Sequence, residues 1–263
     1  MRFLIFGDVV GRIGRRALAA TIPELKHAYH PDVILANAEN LAHGLGVTAR
    51  TLQEVLDAGV TLLTSGNHVW DKSEGVELLR APDPSVIRPA NYPPGAPGMG
   101  WKTLTVDGKN VLVVNLIGRV FMKDLVDNPF RVFDAVIEAA GPVDVTIVDF
   151  HGETTSERNA FGWYADGRAS VVYGTHTHIP TADARILPKG TAFVTDVGMT
   201  GARDSVIGVE PATTIPQYTT GMGQRYIWPE TGVAWVHAII ADVDTSLRRA
   251  THIERITREV AIS

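Results

Sequence analysis

The chain contains no cysteine among its 263 residues. Disulfides, thiolate metal ligands and a cysteine nucleophile are therefore excluded, and the composition fits a reducing compartment. No apolar stretch approaches the length of a membrane span. The apolar run at the N-terminus is too short for the core of a signal peptide, because it meets a carboxylate at Asp8. We therefore expect a cytoplasmic protein that does not enter a membrane.

Basic residues are slightly fewer than acidic residues: the chain has 24 Lys and Arg and 29 Asp and Glu, which gives a formal net charge of -5. This balance argues against stable binding of long nucleic acids. It leaves open a small nucleotide held through a metal ion. The hydrophobic share of 45% is ordinary for a globular protein, and the length allows a large core. Because no repeat, linker or low-complexity tract divides the chain, we expect one domain over residues 1–263.

Apolar runs between turn signals predict alternating strands and helices, which is typical of an α/β fold. Strands are predicted at 3–6, 33–36, 60–64, 145–148, 169–173 and 192–195, and helices at 15–29, 49–58 and 130–140. The pair Asp107-Gly108 predicts a hairpin between 101–106 and 110–116. A strand at 233–243 is expected to pair with 247–256. Residues 81–100 are predicted to be irregular, and 211–229 are not assigned.

Five of the predicted strands run into polar residues that can bind metal ions: Asp8, Glu39, Asn67, His151 and the pair His176/His178. One such ending by itself is typical of a helix cap or of a core residue whose polar atoms are all hydrogen-bonded. Parallel strands lie about 5 Å apart, so side chains at their carboxyl ends can share one small site. In extended chain, the two-residue spacing of His176 and His178 would place both imidazoles on one side. The repetition therefore predicts a shared site.

The predicted donor set consists of three imidazoles, two carboxylates and one or two amides, without sulfur. Such donors favour manganese, iron, zinc or cobalt over soft metals. The set is too large for one catalytic metal ion. Two ions about 3.5–4 Å apart, bridged by a carboxylate, would use all of it and would suit in-line displacement at phosphorus.

The ordered strand endings resemble those of the calcineurin-like metallophosphoesterases: Gly7-Asp8, Gly66-Asn67-His68, Phe150-His151 and Gly174-Thr175-His176-Thr177-His178. Longer motifs narrow the resemblance to the YmdB-like branch, the 2′,3′-cyclic-nucleotide 2′-phosphodiesterases. These motifs are GDVVG at 7–11, NAEN at 37–40, HGETTSE at 151–157 and DVGMTG at 196–201. Together they cover most of the chain.

This resemblance implies a four-layer αββα sandwich, in which two mixed β-sheets pack together and are flanked by helices. It also implies two metal ions whose ligand sets share Glu39 as the bridge. The first set consists of Asp8, Glu39, Asn40 and His178. The second set consists of Glu39, Asn67, His151 and His176. We expect iron or manganese, with zinc or cobalt as alternatives.

Two positions depart from the broad superfamily pattern. Val10 stands where a histidine is usual, and Glu39 stands where the bridging residue is usually aspartate. Asn40 is placed to fill the gap left by the histidine, but an amide donates less charge than imidazole. The identity of the metal and the affinity of the first position are therefore left open.

His68 follows a predicted ligand and is a candidate general acid for the leaving oxygen, because imidazole titrates near neutrality. The alternative is that His68 orients Asn67. The attacking species would be a hydroxide that bridges the metals. Its attack on a 2′,3′-cyclic nucleotide, with departure of the 2′ oxygen, leaves a 3′-monophosphate. We therefore expect a dinuclear-metal phosphodiesterase of small cyclic nucleotides.

Alternative functions are a phosphomonoesterase or an RNA-end nuclease at the same site, and a regulatory or scaffold protein with a structural metal site.

The segment 11–16 lacks the Gly-Lys-Ser/Thr ending of a P-loop, so its arginines are interpreted as a solvated helix face. Glu153 either orients a ligand imidazole or forms a loop salt bridge. Four aromatic residues could stack a base, although core packing is the commoner role: Trp70, Trp163, Tyr164 and Trp228. Residues 211–229 shape either the substrate mouth or a contact in a homo-oligomer.

Overall fold

A computed structural model describes the chain from Met1 to Ser263, with two six-stranded sheets and six α-helices. The first sheet contains β1 (Arg2–Asp8), β2 (Val33–Asn37), β3 (Leu62–Thr64), β10 (Thr200–Ala202), β11 (Gly232–Asp244) and β12 (Arg249–Ile262). The second sheet contains β4 (Trp101–Val106), β5 (Lys109–Ile117), β6 (Val145–His151), β7 (Val171–Thr175), β8 (Arg185–Ile186) and β9 (Ala192–Val194). The helices are α1 (Gly11–Tyr29), α2 (Ala49–Asp57), α3 (Ser73–Leu79), α4 (Pro129–Ala140), α5 (Thr155–Ala165) and α6 (Pro211–Thr220).

Both sheets are mixed. In the first, β1, β2 and β3 are parallel and β11 runs antiparallel to β1. In the second, β5, β6, β7 and β9 are parallel, and β4 and β8 run antiparallel to their neighbours. The parallel segments matter for function, because the carboxyl ends of neighbouring parallel strands lie at one edge of a sheet.

Alternation of side chains along the strands builds three apolar layers. Phe3 and Ile5 of β1 belong to the layer between the two sheets, whereas Leu4 and Phe6 pack in the layer that includes α1. Residues of β5 alternate in the same way between the central layer and the layer that contains residues of α4 and α5. Three cores between four layers confirm the predicted αββα sandwich. None of the helices combines the length and the hydrophobicity needed to cross a lipid bilayer.

The predicted strands and both predicted strand pairs are confirmed. Val106 pairs with Lys109 across Asp107-Gly108, whose positive φ angles of 49° and 73° suit a tight hairpin. Helix α1 begins four residues earlier than predicted and continues through Pro23. Gly14, which precedes the predicted start, lies inside the helix. Close packing requires glycine there, because a Cβ would stand 2.3 Å from the carbonyl oxygen of Thr200.

Helices α3, α5 and α6 were not predicted, and α5 shows why. Its buried positions are spaced as on one helix face, but the first of them is a charged residue: Arg158, Phe161, Gly162 and Ala165. An arginine and a glycine among four buried positions hide the apolar periodicity on which helix prediction depends.

Arg158 and Asp196 form a buried ion pair, with only 1% and 0% of these residues exposed. Asp196 also accepts hydrogen bonds from the backbone N–H and the hydroxyl of Thr177, at 3.2 and 2.7 Å, and from the backbone N–H of Gly198 at 2.8 Å. The pair and its hydrogen bonds therefore tie α5 to the segments that follow β9 and β7.

Replacing Asp196 with Asn should lower the free energy of unfolding by about 3–5 kcal/mol, because it leaves the Arg158 charge buried without a partner. Denaturant unfolding monitored by circular dichroism measures the loss. The matched control is Glu24→Gln, which breaks an exposed ion pair with Arg258 at 3.1 Å and should cost about 0–1 kcal/mol. Equal losses for the two variants would contradict a structural role for the buried pair.

Candidate active site

Carboxyl ends of strands from both sheets meet in one place. Two groups of side chains offer ligand atoms that all lie within 4.8 Å of one another inside each group: Glu39, His151 and His176, and Asp8, Glu39 and His178. Glu39 belongs to both groups. The structure therefore brings together the predicted carboxylates and all three imidazoles.

The first group is centred on Nε2 of His151. This atom lies 3.1 Å from Oε2 of Glu39, 3.0 Å from Oδ1 of Asn67 and 3.0 Å from Nδ1 of His176. The four residues come from segments that follow or end β2, β3, β6 and β7. The predicted second ligand set is thus gathered within hydrogen-bonding distance of a single atom.

The outward nitrogens of the imidazoles have acceptors of their own. The Nδ1–H of His151 donates to the Thr175 hydroxyl at 2.9 Å, which in turn donates to Asp149 at 2.7 Å. The Nε2–H of His176 donates to Glu153 at 3.0 Å, and the Nδ1–H of His178 donates to the carbonyl of Ile207 at 2.8 Å. In the neutral form of each imidazole, these partners take the outward N–H and leave a lone pair on the inward nitrogen.

Two buried acceptor atoms in the site have no hydrogen-bond donor, as is expected of ligands to a metal ion. Oδ1 of Asp8 and Oδ1 of Asn40 are buried and have no hydrogen-bond partner, although buried polar atoms are nearly always paired. Nε2 of His178 lies 4.0 Å from Oδ1 of Asp8. The amide of Asn40 is held by its other end, since Nδ2 donates to the carbonyl of Gly44 at 2.8 Å. The residues present therefore fit divalent cations at both groups.

Burial and the neighbouring charges shift the pKa values of four residues of the site. Burial opposes ionisation of Glu39, but the charges of His151 and other histidines outweigh it and lower its pKa to about 2. Burial likewise opposes protonation of His151, but Glu39 outweighs it and raises the pKa of His151 to about 9. Burial raises the pKa of Asp8 to about 6. Burial and the neighbouring His151 lower the pKa of His176 to about 3.

The two histidines after β7 do not lie in extended chain, so the expected reason for their convergence is wrong. β7 ends at Thr175, and His176 and His178 have positive φ angles of 102° and 65°. This conformation is uncommon for residues other than glycine. The bends direct His176 to the Glu39–His151 group and His178 to the Asp8–Glu39 group.

Gly66 is required for space rather than for an unusual turn. Its φ of -157° is negative, which corrects the expectation that the backbone there is closed to other residues. A Cβ at this position would lie 2.1 Å from Oε2 of Glu39 and 2.3 Å from Nε2 of His151. A side chain on this residue would occupy the centre of the ligand group.

His68 lies in the 3₁₀ turn Asn67–Trp70 that follows β3, beside the ligand groups. Its backbone N–H donates to Oε2 of Glu39 at 3.3 Å, and its Nδ1 lies 2.8 Å from Oδ2 of Asp71. About a third of the side chain, 30%, is exposed. No hydrogen bond joins the His68 and Asn67 side chains. Nε2 of His68 is therefore its free nitrogen.

Several supporting residues were not identified from the sequence, and Asp149 is the clearest. It is fully buried and accepts hydrogen bonds from Thr175 and Thr64 and, at 3.1 Å, from Asn37. Burial raises the pKa of Asp149 to about 7. The sequence feature that could have identified Asp149 is its position as a carboxylate within the apolar run of β6. Asn37 also accepts from the backbone N–H of Glu39 at 3.0 Å, so this network positions two predicted ligands.

Of the three arginines in 11–16 that were interpreted as a solvated helix face, Arg12 and Arg16 are exposed but Arg15 is buried. It is 9% exposed, lies 2.6 Å from Glu54 and donates to the carbonyl of Leu41. Of the aromatic residues, Trp70 packs edge-on against Tyr92 and Trp163 is 53% exposed.

The chain is similar to proteins of a known family over nearly its whole length. A family model described as YmdB-like protein matches residues 4–256. A Bacillus subtilis (strain 168) protein named 2′,3′-cyclic-nucleotide 2′-phosphodiesterase is 44% identical over 257 residues, which are 97% of this chain and 96% of that protein. The crystal structure of a hypothetical protein from Thermus thermophilus has a TM-score of 0.92 at 42% identity, covering 98% of this chain and 99% of that one. The crystal structure of a novel phosphatase from Mycoplasma pneumoniae has a TM-score of 0.93 at 33% identity, covering 100% and 94%.

Replacing Gly66 with Ala should remove bound metal while the protein stays folded, because the new methyl group would displace Glu39 and His151. Elemental analysis of the purified variant measures the loss. Gly223→Ala is the control, since a Cβ there meets no atom within 4 Å. A Gly66→Ala variant with the metal content of the control would contradict the placement of the ion.

Proposed function

Because the chain belongs to the YmdB-like protein family, we propose that it is a metal-dependent phosphodiesterase that opens 2′,3′-cyclic nucleotides to 3′-monophosphates. The observation that carries this proposal is the pair of acceptor-lined groups that share Glu39. The name of the Bacillus relative supports the reaction, and the chemistry of the donor set supports the requirement for metal ions.

We propose two ligand sets joined by Glu39. The first is Asp8, Glu39, Asn40 and His178, and the second is Glu39, Asn67, His151 and His176. Nitrogen and oxygen donors without sulfur favour manganese, iron, zinc or cobalt over soft metals. Among these we propose iron or manganese first, with zinc or cobalt as alternatives. When bound, such ions supply Lewis acidity, which activates water and neutralises charge on the phosphate. The outward hydrogen bonds of the three imidazoles keep their lone pairs directed inward.

His68 is proposed to protonate the departing 2′ oxygen. Its Nδ1 lies 2.8 Å from Oδ2 of Asp71, which fixes the orientation of the imidazole ring. The proton to be transferred would then be the one on Nε2. Partial exposure of the side chain is consistent with access to a substrate. The side chain of His68 is hydrogen-bonded to Asp71 and not to the Asn67 amide, which favours the acid role over orientation of Asn67.

Product analysis tests the proposed reaction. Incubation with 2′,3′-cyclic AMP should yield 3′-AMP without 2′-AMP, and chelation should stop the reaction until Mn²⁺ or Fe²⁺ is returned. p-Nitrophenyl phosphate, a monoester, should react more slowly. Faster turnover of the monoester would favour the phosphomonoesterase suggested by the name of the Mycoplasma relative. A metal-loaded protein that is inert towards both esters would favour a regulatory role.

Replacing His68 with Ala should reduce kcat on 2′,3′-cyclic AMP by about 10²- to 10⁴-fold, the usual contribution of a general acid. Metal content should stay at the wild-type level, because His68 is outside both ligand sets. His252→Ala is the matched control, since that side chain is 50% exposed on β12. Near-normal turnover of His68→Ala would refute the acid role, and loss of metal would indicate that His68 positions Asn67 instead.

A further inference from the structure

Two cavities share His43, which lies in the segment that follows the predicted ligands Glu39 and Asn40. The first, of about 370 Å³, is lined by Arg12, Arg15, Arg50 and Lys72. The second, of about 330 Å³, is lined by Arg225, Tyr226 and Trp228. We call the two cavities together the basic-aromatic groove. Each volume lies at the lower end of the range for a small-molecule pocket, so the two could hold successive units of one ligand.

The groove carries an excess of positive charge. Among its acidic neighbours, Glu230 pairs with Arg12 at 2.7 Å, and Glu54 is shared by Arg15 at 2.6 Å and Arg50 at 3.1 Å. Lys72 and Arg225 form no ion pair. The two cavities are lined by five cations and by one carboxylate, Glu230, so this region is positive in a chain whose net charge is -5. Such a local patch attracts a polyanion even though the whole protein does not.

The second cavity adds aromatic ring faces to this charge. The Tyr226 and Trp228 rings are nearly perpendicular, with centroids 6.2 Å apart. The indole of Trp228 lies against the backbone of Gly44, where a Cβ would stand 2.0 Å from the ring. Ring faces beside cations are the combination with which proteins hold single-stranded nucleic acids, because the rings stack bases while the cations contact phosphates.

The groove is joined to the ligand groups through the segment 39–46. Glu39 and Asn40 begin this segment, and the Asn40 amide is bonded to the carbonyl of Gly44, on which Trp228 packs. The Lys72 side chain lies against Gly46 at the other end of the segment. Lys72 also follows Asp71, the partner of His68. Both halves of the groove therefore rest on the loop that presents predicted ligands.

We propose that the basic-aromatic groove binds the single-stranded 3′ end of an RNA whose terminal 2′,3′-cyclic phosphate is the substrate. This inference rests on the proposed function and names its substrate class. The nucleotides on the 5′ side of the cyclic phosphate place their phosphates on the cations and their bases on the rings. Water adds to phosphorus, the bond from phosphorus to O2′ breaks, and O2′ takes the proton, which leaves a 3′-phosphate on the RNA.

The test compares kcat/KM for 2′,3′-cyclic AMP and for a tetranucleotide that ends in the same cyclic nucleotide. The wild-type protein should prefer the tetranucleotide by about tenfold or more, which corresponds to stacking of one base. Trp228→Ala and Lys72→Gln should each lower the ratio of the two kcat/KM values, the former by about tenfold. Trp228→Phe should retain most of the preference, which distinguishes lost stacking from misfolding.

Matched controls lie outside the groove. Trp163→Ala removes an exposed tryptophan from α5, and Lys26→Gln removes an exposed lysine near the far end of α1. Both should keep the wild-type ratio. A wild-type protein that prefers the mononucleotide, or a ratio that is unchanged in Trp228→Ala and Lys72→Gln, would overturn the proposal.

A binding experiment separates this inference from the proposed function. Fluorescence anisotropy with a 5′-labelled tetranucleotide that ends in a 3′-phosphate needs no turnover. Binding that weakens with added salt and in Trp228→Ala supports the groove even if neither cyclic substrate is hydrolysed. Absence of binding at low salt overturns the groove even if 2′,3′-cyclic AMP is hydrolysed.

Discussion

The contact between Glu39 and His151, at 3.1 Å, is the interaction on which the site depends. Glu39 follows a strand of the first sheet and His151 ends a strand of the second, so the two residues meet only when the sheets pack face to face. The apolar layer between the sheets, which contains Phe3, Ile5 and Val113, provides that packing. A buried carboxylate and a buried imidazole are unfavourable without compensating charge. The free energy of the central core therefore holds together a polar cluster that could not assemble alone.

Much of the site could be predicted because it follows one rule, that parallel strands present their carboxyl ends at a common edge. Asp8, Glu39, Asn67 and His151 were identified in this way. The hydrogen bond from His151 to the Thr175 hydroxyl could not be predicted. It depends on the pairing of β6 with β7, which sets His151 opposite Thr175. The ion pair of Arg158 was also hidden, because a buried arginine resembles a surface residue in the sequence. Short motifs thus indicate which residues come together in the site, whereas strand register determines which neighbours form hydrogen bonds with them.

Val10 shows how the chain departs from the usual superfamily pattern. This residue, where a histidine is usual, is 2% exposed. Its side chain packs against Gly201 and Gly208, where a Cβ would lie 3.2 and 2.8 Å from Val10 atoms. The position is therefore part of an apolar contact in this protein. The buried amide of Asn40 offers an oxygen that has no hydrogen-bond partner and no negative charge.

The hydrogen bond from His178 to the carbonyl of Ile207 has a consequence for cooperativity. Ile207 has a positive φ of 47° and precedes α6 and Trp228 in the chain. The backbone N–H of Glu210 also donates to the carbonyl of Ile227 at 2.8 Å, so both ends of this excursion are tied together. An imidazole facing the Asp8–Glu39 group is thus oriented by the same stretch of chain that carries the groove tryptophan. Thermodynamic linkage then applies in both directions. If a molecule orders this stretch and thereby raises the affinity for a cation by some factor, the bound cation raises the affinity for that molecule by the same factor.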